Sequence, residues 1–272
     1  MSWLRELGAT GLQVSALGLG TVKLGRNQGV KYPARFALPD ERSARELLVL
    51  ARELGINLLD TAPAYGSSEE RLGRLLAGKR PDWILCSKVG EEFEQGRSRF
   101  DFSPEHTRES VLRSLRRLGT DVLDIVLVHS DGRDLQIIEQ MGTLEVLAQL
   151  KREGLLRAFG MSTKTVAGGL AAAAVCDVVM VTYSAAQQAE RPVLDECARL
   201  GRGVLVKKVL DSGNLAGTAG TPDTGLTPRQ ASLALALAHP GTSAAVVGTI
   251  NPLHLRANVE AARQAIAKAL LG

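Results

Sequence analysis

The chain has 272 residues, 45% of them hydrophobic, which is ample for a large core and is a length that one α/β barrel fills. The formal net charge is +4, and basic residues are interleaved with acids, as in Glu41-Arg42 and Arg45-Glu46. Such a surface is an ordinary solvated one and excludes nucleic acid as a partner.

The first segment, Leu4 to Val14, predicts a hairpin with Thr10-Gly11 near its turn. It is expected to plug the N-terminal end of a barrel. Eight β-like runs follow, at Ser15–Thr21, Asn57–Ala62, Trp83–Val89, Val122–Ser130, Leu156–Ser162, Asp177–Ser184, Gly203–Leu210 and Ser243–Thr249. Helical patterns alternate with them at Glu41–Leu54, Glu69–Leu76, Pro104–Leu118, Ile137–Glu153, Val166–Ala174, Pro192–Leu200, Pro228–Ala238 and Pro252–Leu270. Ser103-Pro104, Thr227-Pro228 and Asn251-Pro252 are each a cap residue followed by proline at the first helical position. Gly55, Gly119, Gly154 and Gly201 follow helical runs, where a left-handed cap is wanted. Alternating strands and helices imply a parallel sheet, and closure into a (β/α)8 TIM barrel over residues 1–272, one domain, is the economical solution. Two long loops, Leu24–Pro39 and Asp211–Thr227, follow strands and so fall on the C-terminal face, where barrel enzymes keep their sites.

Cys86, Cys176 and Cys197 are widely spaced and include no CxxC, so neither a disulfide framework nor a metal site is expected. With no apolar signal core at the N-terminus and no apolar run of about 18 residues, a reduced, cytoplasmic protein without membrane contact is expected. Oligomeric state is not written in the sequence.

The chemistry concentrates where Ile56-Asn-Leu-Leu-Asp60 runs into Thr61-Ala-Pro-Ala-Tyr65. Pro63 stops the strand, leaving Asp60 as its last inward residue with Tyr65 above it. Counting back by twos puts Lys88 on one face with Cys86 and Ile84, and His129 on one face with Leu127 and Ile125. All three polar residues are expected at the mouth of the barrel, with Lys88 paired to Asp60 because an unpaired charge there is costly. The cation is expected to lower the Tyr65 phenol, poising it to protonate an alkoxide, while His129 orients a carbonyl oxygen. Taken singly, the Asp–Lys pair reads as structural and His129 as a core histidine. Together, at the ends of consecutive strands, they read as a site.

Gly18-Leu-Gly-Thr21, Gly55-Ile-Asn-Leu-Leu-Asp-Thr-Ala-Pro-Ala-Tyr-Gly66, Ser68-Glu-Glu-Arg-Leu-Gly73, Ser87-Lys88 and Leu127-Val-His129 resemble the aldo-keto reductases. The resemblance runs from the hairpin to Asn258. It implies NAD(P)H-dependent reduction of a small-molecule carbonyl substrate, with Tyr65 as general acid, Lys88 and Asp60 tuning it and His129 positioning the carbonyl. Late loops suit a pyrophosphate, or read as a plain loop and a helix cap: Ser212-Gly213-Asn214-Leu-Ala-Gly217, just after Leu210, and Gly248-Thr249-Ile-Asn251-Pro252 opening the last helix. The resemblance adds Gly20, Thr21, Lys23 and Asn258 on the cofactor, with Ser162 and Thr163 at its carboxamide. Thr163 stands where the family often has asparagine, Met180 where a glutamine is expected, and Lys207 where an aromatic residue commonly stacks on nicotinamide. Lys207 and Lys208 then read as phosphate or ribose contacts, or one of them as facing solvent. His254, with Arg256 nearby, falls at the adenosine 2′-phosphate position, favouring NADP(H) over NAD(H). Val22 and Ser130 replace aromatic walls, implying an open pocket for small carbonyls. Two other readings stay open: a Lys88 Schiff-base aldolase, and a nucleotide-sensing regulatory subunit on the same scaffold.

Overall fold

In the computed structural model, residues 2–30, 32, 35–211 and 226–271 are described. The chain begins with two short antiparallel strands, β1 (Leu4–Glu6) and β2 (Gln13–Ser15), and Leu4 pairs with Ser15. Between them a single 3-10 turn, Gly8–Thr10, ends at Gly11 with φ 74°. Leu7, Leu12 and Val14 are buried with the inward side chains of the barrel, so the hairpin is the expected plug. Gly8 allows the close approach: at φ +54° its Cα faces the Gly203 backbone, and a Cβ there would lie 2.3 Å from that amide nitrogen. Trp3 donates through Nε1 to the Gly55 carbonyl (2.7 Å), and Asn57 Oδ1 accepts from the Ser15 amide (2.7 Å), tying the plug to the second barrel strand.

The eight barrel strands are all parallel and close on themselves. The first three are β3 (Leu17–Gly20), β4 (Leu58–Asp60) and β5 (Ile84–Val89). A second hairpin, β6 (Glu91–Glu94) with β7 (Arg97–Phe100), follows β5 and is absent from the sequence reading. The barrel continues through β8 (Leu123–His129), β9 (Leu156–Ser162), β10 (Val178–Thr182), β11 (Gly203–Lys207) and β12 (Ala244–Val247). The order β3-β4-β5-β8-β9-β10-β11-β12 returns to β3, the (β/α)8 TIM barrel with an N-terminal hairpin.

The helices are α1 (Val22–Gly25), α2 (Glu41–Glu53), α3 (Ser68–Leu75), α4 (Pro104–Leu118), α5 (Asp134–Gln140), α6 (Thr143–Arg152), α7 (Val166–Val175), α8 (Arg191–Leu200), α9 (Pro228–Ala238) and α10 (Pro252–Leu271). Caps fall where proline at the first helical position signals them. Ser103 Oγ accepts from the His106 amide, and Thr227 forms a full capping box with Gln230. One expectation fails. The helix read over Ile137–Glu153 is two helices, α5 and α6, parted at Gly142 with φ 72°. A left-handed residue breaks the helical ladder, and the apolar periodicity alone conceals the break.

Two apolar layers result. Leu58, Cys86, Ile125, Leu127, Val178 and Leu205 point into the barrel above the plug. The opposite faces of the strands pack against the helices in a larger outer cluster. The floor of the barrel is therefore filled, and open space is left to the C-terminal ends of the strands.

Candidate active site

Three consecutive barrel strands deliver polar side chains to that end. Asp60 closes β4, Lys88 lies one residue from the end of β5, and His129 closes β8. Pro63 turns the chain into a 3-10 turn, Pro63–Tyr65, which sets Tyr65 above Asp60. Lys88 Nζ donates to Asp60 Oδ1 at 2.5 Å and to the Thr61 carbonyl at 2.9 Å, and both charged residues are buried. The Tyr65 hydroxyl donates to Asp60 Oδ2 at 3.4 Å. Lys88 Nζ lies 4.8 Å from the Tyr65 ring centre, and the His129 ring meets Tyr65 edge-on at 6.3 Å. All four residues line one cavity of about 870 Å³.

The electrostatics correct one expectation. The Tyr65 phenol is raised, not lowered, from its ordinary value. Burial is the main cause and the Asp60 charge the second, and together they outweigh the Lys88 ammonium. The hydroxyl meets both the Asp60 carboxylate and the Lys88 ammonium, and burial with the carboxylate decides that its proton is held. Lys88 behaves oppositely: burial alone lowers it, but Asp60 reverses the sign and holds it well above the ordinary lysine value.

Glu91 escaped the sequence reading. It opens β6, and its Oε2 lies 2.8 Å from His129 Nδ1, although the ring nitrogen is out of line for a hydrogen bond. Burial works against the Glu91 carboxylate, but His129, a hydrogen bond from Ser98 Oγ (2.6 Å) and Arg26 at 3.7 Å bring its pKa down to about 2. Burial pulls His129 below the ordinary imidazole value, against the pull of Glu91. A signal for this hairpin exists in the chain. Gln95-Gly96 is a two-residue turn with positive φ at both positions (50° and 81°) between β6 and β7.

The same cavity receives most of the residues assigned to a cofactor. Gly20, Lys23, Ser162 and Thr163 line it, as do Lys207, Lys208 and Leu210. So do Gly248, Thr249, His254 and Asn258 from the last βα unit. Two of the assigned residues do not line it. Thr21 is fully buried beneath the cavity, its Oγ1 donating to the Asp60 carbonyl at 2.9 Å while Ser68 Oγ donates to it at 2.8 Å. Asn251 stands outside, and its Oδ1 accepts from the Leu253 amide at 2.9 Å, so the side chain caps α10 itself. Ser212, Gly213 and Asn214 lie outside the described residues. Of the two wall residues, Val22 lines the cavity, whereas Ser130 is buried and donates to Asp134. Arg256 does not line the cavity, whereas Arg229, in the first turn of α9, does.

Several polar atoms in the cavity wall have no hydrogen-bond partner. Thr163 Oγ1, Asn258 Oδ1 and Glu190 Oε2 are buried in this state. Buried polar atoms of this kind require a partner that the described residues do not supply. Lys207 Nζ, on the same wall, donates to Ser162 Oγ at 2.8 Å and to the Thr163 carbonyl at 2.7 Å. Burial brings its pKa down to about 8, against the attraction of Glu190.

Comparison with known proteins gives this geometry a lineage. A putative aldo-keto reductase of Pseudomonas aeruginosa superposes with a TM-score of 0.86 at 54% identity, covering 97% of this chain and 95% of that one. The NADH-specific methylglyoxal reductase of Escherichia coli (strain K12) is 32% identical over 234 residues, 78% of this chain and 68% of that protein. L-galactose dehydrogenase of Arabidopsis thaliana is 39% identical over 166 residues, 58% of this chain and 48% of that protein. The match thus spans about half the length of some of these curated relatives. Residues 16–269, nearly the whole barrel, match the model of the Aldo/keto reductase family. With an Asp–Tyr–Lys–His cluster at the strand ends of a plugged (β/α)8 barrel, this chain belongs to the aldo/keto reductase family.

Proposed function

We propose that this protein reduces small aldehydes and ketones to alcohols with a reduced nicotinamide nucleotide, Tyr65 supplying the proton. The observation that carries the reading is the contact of Tyr65 with the buried Lys88–Asp60 pair, beside His129, on one large cavity. The cavity suits a dinucleotide and a small substrate in size, and the unpartnered Thr163 Oγ1 and Asn258 Oδ1 fit amide and base groups. Bound there, the nucleotide supplies hydride.

The chain's own residues supply the rest. Tyr65 keeps its proton in the resting site because burial and Asp60 disfavour phenolate. It gives that proton to the carbonyl oxygen as negative charge develops there. Lys88, held cationic by Asp60, stabilises the phenolate left behind. His129 orients the carbonyl oxygen. The Lys88 Schiff-base reading finds no support, because an ammonium clamped by Asp60 and the Thr61 carbonyl has no lone pair for attack.

The test is Tyr65→Phe. Turnover of a panel from short aldehydes to bulky ketones is expected to fall about 10²–10⁴-fold, while nucleotide binding followed by fluorescence persists. Wild-type activity that survives the substitution sinks the assignment of Tyr65. Binding without turnover in the wild type moves the reading to a nucleotide-sensing subunit. For the nucleotide, His254 and Arg229 on the cavity wall favour NADP(H) over NAD(H). Parallel titration with NADPH and NADH checks this, and tighter NADH binding overturns it.

A further inference from the structure

We propose that Lys207 is a carbonyl-reactive amine that forms an imine with small aldehydes entering the cavity. The position is built for this by geometry. Lys207 closes β11, and its side chain lies in the same cavity as Tyr65 and His129. Its nitrogen makes two hydrogen bonds, to Ser162 Oγ and to the Thr163 carbonyl. A neutral amine keeps both with its two N–H groups and retains a lone pair in a further direction. Glu190, the residue before α8, lines the same cavity and acts on the Lys207 charge. Its Oε1 accepts from the Thr182 amide at 3.1 Å, and its Oε2 is buried without a partner. Amine and carboxyl together are the groups that imine formation needs.

The charge environment agrees. Burial is the main force against the Lys207 ammonium; Glu190 attracts it, while Lys208, Lys88 and Lys164 repel it. Burial likewise raises the Glu190 carboxyl, despite the Lys207 charge. With its pKa at about 8, Lys207 is neutral in roughly a tenth of molecules at pH 7, against roughly one in 3,000 for an unperturbed lysine. Lys88, the lysine nearest Tyr65, is excluded from this role because Asp60 holds it charged.

The step balances without a further reagent. The Lys207 nitrogen attacks the carbonyl carbon, a C–N bond forms as the C=O π bond opens, and one of the nitrogen's two protons passes to the carbonyl oxygen. The carbinolamine hydroxyl then leaves as water with a proton from Glu190. The nitrogen's remaining proton returns to that carboxylate, leaving the C=N bond. No oxidation state changes, and no nucleotide takes part, so the inference stands or falls apart from the reductase reading.

The experiment uses the full chain without nucleotide. Propionaldehyde and sodium cyanoborohydride are added across pH 6–10, and propyl adducts are located by tandem mass spectrometry. The exposed neighbour Lys208 is the internal reference. Labelling of Lys207 at least tenfold faster than Lys208 at pH 7, levelling off above pH about 8, is the expected result. Glu190→Gln slows Lys207 labelling while leaving Lys208 labelling unchanged. Equal rates at the two lysines, or a Lys207 rate that keeps climbing to pH 10, overturn the proposal. The readout is site-resolved on the wild-type protein, so it does not depend on a variant folding.

Discussion

At the scale of single residues, the site is a contest of charges in a poorly solvated mouth. Lys88 and Asp60 neutralise each other, which is why both tolerate burial. Tyr65 touches both members of that pair, and burial with the Asp60 charge keeps its proton on. The sequence shows the residue types and their spacing but not which partner prevails on the phenol, because that depends on a few ångströms of side-chain placement. Glu91 is a sharper case: nothing near it in sequence names His129, 38 positions later, as its partner. Glu91 raises the proton affinity of His129, while burial lowers it. Glu91→Gln removes the charge and is expected to move the His129 titration midpoint to lower pH, measured by NMR with His129→Asn to assign the signal. A midpoint that stays or rises refutes the coupling.

At the scale of elements, apolar periodicity and caps located the eight barrel strands and most helices to within a few residues. Periodicity failed where single glycines overrode it. Gly142 splits α5 from α6, and Gln95-Gly96 turns β6 into β7. The plug is the element with the most specific energetic role. Leu7 is fully buried among Leu12, Val14 and the inward residues of the barrel. Leu7→Ala leaves a cavity there and is expected to cost about 2–5 kcal/mol. Urea unfolding monitored by circular dichroism measures this. A change in midpoint too small to resolve shows that the barrel floor does not need the plug.

At the scale of the whole molecule, the closed barrel puts its polar chemistry at one end and its apolar filling everywhere else. The cysteines belong to the filling: Cys86, Cys176 and Cys197 are buried and free. Burial pushes Cys176 and Cys197 to about 12, and Cys86 is raised as well. Ellman's reagent is expected to find no reactive thiol in the native protein and all three in guanidinium; stoichiometric reaction in native buffer refutes this. Among the described residues, no helix is long and apolar enough to cross a membrane. The sequence by itself determined the alternation of strands and helices, the plug, and the inward face of Asp60, Lys88 and His129. These follow from local periods of 3.6 and 2 and from proline and cap chemistry, which neighbouring residues settle. Tertiary structure alone decided that Thr21 bonds within the protein instead of lining the cavity, that Glu91 meets His129, and that Lys207 turns onto Ser162 and Thr163. Those outcomes depend on which distant groups share a dry volume once the barrel closes, and no local period carries that information.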